Sequence, residues 1–180
     1  MKKMLMAAGM AAVMTACGTA GQKAATDAGN PFLAEYSTPF GVPPFDLIKV
    51  GHYKEAFLKG MEEQKKEIDA IVNQRSVPDF DNTIAAFDQS GELLNKVSIV
   101  FSGLNSCNTN DEMQAFNKEI TPLLSAHRDD ISLNPALFAR VKEVYERREK
   151  LGLDKEQNKL LEETYKKFVR GGANLDSVDQ

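Results

Sequence analysis

DKEQNKLLEETYKKFVRGG, residues 154–172, decides the fold class of this chain. Asp154 followed three places on by Gln157 has the form of a capping box, in which two side chains satisfy free backbone N–H groups at a helix start. Leu160, Leu161, Tyr165, Phe168 and Val169 then fall on one face of a helix. Gly171-Gly172 supplies the stop, because glycine accepts the left-handed backbone that ends many helices.

The same pattern recurs back along the chain. Asn134-Pro135 reads as an N-cap with proline in the first helical position, followed by Leu137, Phe138, Val141, Val144 and Tyr145 and ending at Lys150-Leu151-Gly152. Thr109 with Glu112 suggests another capping box, opening a helix through Met113, Phe116, Ile120 and Leu123 or Leu124, with a kink expected at Pro122. Ile84, Phe87, Gly91, Leu94, Val97, Phe101 and Leu104 form a further stripe, capped by Asp81 or Asn82 after Pro78 and bent at Ser90-Gly91. From His52 a first helix carries Tyr53, Ala56, Phe57, Met61, Ile68, Ile71 and Val72 inward and Glu62, Glu63, Lys65, Lys66 and Glu67 toward water. Before it, Asn30 to Phe45 holds Pro31, Pro39, Pro43 and Pro44 with Phe32, Tyr36, Phe40 and Phe45, which reads as an extended segment pinned by its rings. No bounded run alternates apolar and polar residues, so the fold is read as all-α, about five helices after this segment. The stripes hold no strict heptad, which argues against a coiled coil.

The 180 residues allow one domain or slightly more, and 42% hydrophobic with 27% charged residues suits a packed core. A formal charge of −4 gives no basic surface for phosphates, so nucleic acid is not an expected partner. Lys2 and Lys3 precede an uncharged stretch, Met4 to Ala16, that has the form of an export signal. Thirteen residues fall short of the roughly 20 that span a bilayer. Met14-Thr15-Ala16-Cys17-Gly18 resembles a bacterial lipobox, with Met where Leu is usual. The expected organisation is a lipoprotein-type signal peptide over 1–16, a small, polar tether over 17–29 and a helical domain over 30–180. Lipid on Cys17 would anchor the exported chain at the bacterial cell envelope, in the periplasm or at the outer membrane. Cleavage removes Lys2 and Lys3, leaving 20 basic against 26 acidic residues, and Cys107 as the candidate free thiol. At the other end Ser177-Val178-Asp179-Gln180 has the form of a helix just opening, so the domain is expected to be truncated.

Chemistry is scarce in this text. His52 and His127 stand apart, and neither begins the H-E-x-x-H pattern that puts two zinc ligands and a water-activating carboxylate on one helix face. His127 is read as a structural histidine on an apolar helix face beside Arg128, Asp129 and Asp130. Ser98, Ser102 and Ser106 recur beside Cys107 as the polar edge of a helix, without a base placed to activate them. Glu62-Glu63, Asp129-Asp130 and Glu162-Glu163 are neighbours that diverge on a helix and are expected to be solvated. Gly171-Gly172 follows a helix, whereas a phosphate loop precedes one. No catalytic residue and no metal ligand is assigned, and the peptide-contacting residues stay unknown.

Several segments together resemble the amino-terminal region of M3-type bacterial zinc metallopeptidases, the peptidyl-dipeptidase and oligopeptidase A group. They are Asn30-Pro31-Phe32, Pro39-Phe40-Gly41-Val42-Pro43-Pro44-Phe45, Pro78-Asp79-Phe80-Asp81-Asn82-Thr83-Ile84, Leu137-Phe138 leading to Val144-Tyr145-Glu146, and Phe168-Val169-Arg170-Gly171-Gly172-Ala173-Asn174-Leu175. The family commonly has a single glycine before that alanine. The resemblance implies one wall of a deep peptide channel, with zinc as cofactor of the complete enzyme, short peptides as substrate and the missing catalytic domain as partner. None of the family's metal ligands has a counterpart in this sequence, so the chain alone is expected to be inactive. The alternative is a stand-alone helical lipoprotein that binds peptides or a protein partner in its groove. If the chain is truncated, Phe57, Phe87, Phe101, Phe138 and Phe168 are expected to leave apolar surface uncovered.

The Cys17 reading yields a direct test. In a bacterial host, Cys17→Ser should move the chain from the membrane to the soluble exported fraction or block processing. A variant that stays membrane-bound with unchanged gel mobility, together with a wild type that carries no lipid, would refute the anchor.

Overall fold

Helix α1 (Val50–Val72) is the longest element among the described residues. In this computed structural model, which describes residues 29–173, it is followed by a π-helical turn at Phe80–Ala85 that leads directly into α2 (Ala86–Gln89). Then come α3 (Glu92–Cys107), α4 (Asp111–Ser132), α5 (Pro135–Glu146) and α6 (Lys155–Arg170). Short 3₁₀ turns occupy Pro31–Leu33, Pro39–Gly41 and Arg148–Lys150. The fold is all-α among the described residues, with five long helices. None of them is long and apolar enough to cross a membrane. The leader over 1–16, Cys17 with the tether up to Ala28, and Ser177 to Gln180 lie outside the described residues.

Two apolar cores share α1. Its first half gives Tyr53, Ala56 and Phe57 to a core completed by Phe32, by Val97, Val100 and Phe101 of α3, and by Met113, Phe116 and Ile120 of α4. Its second half gives Ile68 and Ile71 to another, completed by Ile84, by Leu137, Phe138, Val141 and Val144 of α5, and by Leu161 and Phe168 of α6. A helix of 23 residues is about 35 Å long, which is what lets one element serve both. The first core is built from rings in contact: Tyr53 lies 5.1 Å from both Phe32 and Phe101, and Phe101 meets Phe116 edge-on at 5.3 Å. Such pairs add about 0.5–1.5 kcal/mol beyond the area they bury. Burial pushes the Tyr53 hydroxyl up to about 12, with Tyr36 contributing.

The helix caps refine the sequence reading. Asp154 and Gln157 exchange hydrogen bonds as expected, Gln157 N–H donating to Asp154 and Asp154 N–H to Gln157. Asn134 accepts from Leu137 N–H, with Pro135 next in line. Other starts move. Asp79, not Asp81 or Asn82, caps the π-helical turn: it accepts from Asn82 N–H at 2.8 Å while its own N–H donates to Asn82 Oδ1 at 3.1 Å, a box closed by Asn where Glu or Gln is usual. Asn110 caps α4 by accepting from Met113 N–H, while the Thr109 hydroxyl donates to Asn105 and accepts from Gln114 Nε2. The bend expected at Ser90-Gly91 is a full break, with Gly91 in the left-handed region at φ 78°. Pro122 lies on the exposed face of α4, and the helix continues beyond it to Ser132.

The segment before α1 departs most from expectation. It is not uniformly extended: Asn30 accepts from Phe32 N–H and starts a 3₁₀ turn on Pro31, a position that needs no N–H. Phe32 is buried, and Tyr36 packs under Lys96, whose ammonium lies 3.9 Å from the ring centre. Phe40 and Phe45 are not pinned. Phe40 is fully exposed at a positive φ of 60°, and Phe45 is half exposed beside Val42 and Leu47. Conversely Phe57, Phe101, Phe138 and Phe168 are buried and Phe87 is half-buried, so uncovered apolar surface lies at Phe40, Val77 and Ile99 rather than on the expected phenylalanines.

At Gly60 the backbones of α1 and α3 approach closely. A Cβ built there would lie 2.9 Å from the Leu94 Cα and N, atoms that belong to backbone and cannot swing away. Gly60→Ala should therefore destabilise the chain by about 1–3 kcal/mol despite alanine's better helix propensity. Gly103→Ala, inside α3 with nothing within 4 Å, should stabilise it by up to about 1 kcal/mol. Urea melts of the two variants check the opposite signs.

Candidate functional site

Polar residues converge at one place, where α1 faces the α2–α3 corner and α4. Gln64 of α1 lies at the centre. Its Oε1 accepts a hydrogen bond of 2.8 Å from His127 Nε2 of α4, and its Nε2 donates at 3.4 Å to the Ser90 carbonyl and hydroxyl. A carboxamide oxygen can only accept, so Nε2 of His127 carries the proton. One turn further along α1, Glu67 accepts from Gly91 N–H at 2.7 Å, holding a backbone donor at the start of α3. Glu67 is therefore a capping group rather than a purely solvated charge. Gly91 suits this position because its φ is positive, and a Cβ there would push the Gln64 carboxamide, 2.4 Å away, from its place.

Beside this junction opens a cavity of about 250 Å³, at the seam between the two cores. Leu94 and Leu124 line it from the first core's side, and Phe87, Ile131 and Phe168 from the second. Gln64, Ser98, His127 and Ser132 add polar groups, and Arg128 and Lys167 bring positive charge. Ser98 is half-buried and its hydroxyl donates back to the Leu94 carbonyl at 2.7 Å, as the hydroxyl of Ser106 does to Ser102. These are helix-face bonds and activate no nucleophile. Sequence reasoning singled out His127 and Ser98 separately; it missed Gln64, which no motif marks.

The remaining candidates are dispersed. His52 Nδ1 accepts from Lys49 N–H at 3.1 Å, so this histidine serves the start of α1. Cys107 is a free, exposed thiol at the end of α3. Glu62 pairs with Lys66, Glu163 with Lys159 and Glu162 with Lys166, all one helical turn apart. Exposed pairs of this kind add little to stability, because water and salt screen them. Among the described residues no three His, Cys, Asp or Glu side chains come together to hold a metal. Cys17, the lipidation candidate, lies outside the described residues.

The segments quoted for the family resemblance have structural tasks. Asn30 Nδ2 donates to the His52 carbonyl at 2.7 Å and to Glu55 at 3.1 Å, tying the leading segment to α1. Asn82 is gripped by Arg140, whose guanidinium donates to Asn82 Oδ1 at 2.9 Å and to the carbonyls of Gln74 and Ser76. Arg140 is buried on the same α5 whose Leu137 and Phe138 fill the second core, and neither its charge nor its position suggested this from sequence.

Over 151 residues, 84% of its length, the chain is 44% identical to a dipeptidyl carboxypeptidase of Escherichia coli. It is 43% identical over the same share to the dipeptidyl carboxypeptidase of Salmonella typhimurium and 22% identical to oligopeptidase A of Escherichia coli. The match spans 22% of the length of each of these relatives. No family model matches the chain.

His127 gives the site a pH signature. Burial holds its imidazole below the ordinary value of 6.5; Asp130 opposes this and Lys65 adds to it. A depressed pKa means that the unfolded chain binds the proton more readily, so stability present above about pH 6.5 is lost as pH falls through the folded value. Denaturant midpoints measured from pH 7.5 to 5 should therefore fall less in His127→Gln than in the wild type.

Proposed function

We infer the role of this chain from its similarity to dipeptidyl carboxypeptidases: it supplies the amino-terminal, channel-wall segment of a zinc-dependent peptidyl-dipeptidase acting on short peptides. The observation that carries this reading is 44% identity sustained over 151 residues in a sequence that contains no H-E-x-x-H. Identity at that level over so long a stretch supports a shared helical scaffold. On this reading zinc binding and water activation belong to another part of the enzyme. This chain's own contribution is then shape: α1 and α3 locked at Gly60, and helices held in place by interior caps. We further propose that the whole is exported and held at the cell envelope through lipid on Cys17.

A second reading, a self-sufficient helical lipoprotein that binds peptides or a protein partner, is favoured by one observation. The two cores bury four of the five phenylalanines that a cut-off segment was expected to leave uncovered.

The coding sequence beyond Gln180 and the behaviour of the purified chain discriminate the two. The peptidase reading expects an in-frame continuation carrying H-E-x-x-H, and no dipeptide release from short peptides by the 180-residue chain with added zinc. A stop codon directly after Gln180, or a sharp monomeric melt without binding of a hydrophobic dye, would sink it in favour of the second. Chelator-sensitive hydrolysis by the chain alone would refute both.

A further inference from the structure

The seam cavity combines two features that rarely meet by packing alone. Its walls are largely apolar, from Phe87, Leu94, Ile131 and Phe168, and its charged lining residues are both cations, Arg128 and Lys167. Among the described residues neither side chain has an ion pair or hydrogen bond, although the protein as a whole is acidic and seven of its other cations do form ion pairs. No carboxylate lines the cavity. Asp88 and Glu163 border the adjoining hollow, which Lys167 also lines. The polar centre is already internally satisfied, because His127 is bonded to Gln64 and Ser98 to Leu94. What the site lacks is an anion.

We propose that this cavity binds a small carboxylate with an apolar tail. The tail lies among Phe87, Leu94, Ile131 and Phe168, and the carboxylate meets the guanidinium of Arg128 and the ammonium of Lys167. A volume of about 250 Å³ suits a tail of roughly a leucine side chain to a short acyl chain; a cavity of about 150 Å³ already holds benzene. Arginine offers a planar fork matched to a carboxylate, and lysine a mobile point charge, so together they can follow acids of slightly different shape. The proposal goes beyond the peptidase reading and stands or falls separately from it. The same chemistry is presented by a free short-chain acid and by the carboxy-terminal residue of a peptide.

The test is titration of the full chain, followed by two-dimensional NMR, with hexanoate, N-acetyl-leucine and their uncharged counterparts hexanol and N-acetyl-leucinamide. One or both acids should bind saturably at millimolar concentration or tighter, at least about tenfold more strongly than the matching neutral compound, a difference of about 1.4 kcal/mol. Shifts should centre on Ser98, His127 and Ile131. A preference for hexanoate identifies a free acid as the natural class, and a preference for N-acetyl-leucine a peptide end. Arg128→Gln with Lys167→Gln, two exposed positions, should lower the affinity at least about tenfold with unchanged circular dichroism. Ser98→Phe, which fills the cavity from α3, should abolish binding even where the charges remain. Equal binding of acid and neutral compound, shifts spread over the surface, or affinity that survives both variants would overturn the site.

Discussion

The contact that everything else depends on is the seating of the Leu94 backbone against Gly60. Helices pack about 8–10 Å apart when side chains intervene, and the absence of one at position 60 allows α3 to settle lower on α1. That single close approach fixes where Val97, Val100 and Phe101 arrive over Tyr53, Ala56 and Phe57. It also fixes where α3 begins. With Leu94 pinned, the turn at Ser90-Gly91 must fold back over α1, where Gln64 and Glu67 wait with hydrogen bonds for it. The second core inherits its position from the same helix, since Ile68 and Ile71 lie two and three turns beyond Gly60 on α1. The chain thus has two interiors and one axis.

Much of this was legible in the text, for a physical reason. Helices with one buried stripe announce themselves by the spacing of Leu, Phe and Val, and the buried positions of α5 and α6 fall on the stripes read from sequence except at Arg140 and Thr164. Starts were legible where the capping residue had no competing bond, as at Asp154 and Asn134. They were misread where two candidates stood close together, as at Thr109 and Asn110 or at Asp79 and Asp81, because spacing alone does not say which side chain takes the free N–H. Gly60 was invisible because a glycine inside a helix looks like a weakness until its neighbour is known. Gln64 and Arg140 were invisible because long polar side chains carry no periodic signal; what they bind lies more than twenty residues away in sequence. The exposure of Phe40 could not be read either, since the rule that rings seek cover says nothing about a ring held outward by its own turn.

The residues through which the chain resembles M3-type peptidases have structural tasks in this segment. Asn30 joins the leading segment to α1, Asp79 with Asn82 starts a helix, and Leu137 and Phe138 fill a core. Function in such a segment has to be sought in what the packing leaves over, which here is a seam between cores and two cations that nothing in the described chain neutralises.

Arg140 carries a lesson about how this scaffold tolerates change. Two of its bonds go to the main-chain carbonyls of Gln74 and Ser76, which any amino acid would present equally well, while the third goes to the side chain of Asn82. The connection between α1 and the π-helical turn is thus clamped by an atom type common to all twenty residues. Mutational drift in that loop is buffered, because almost any replacement at 74 or 76 keeps the anchor. Position 82 enjoys no such latitude: it alone supplies a specific oxygen to the clamp and a cap to the helix start, so a change there breaks both at once.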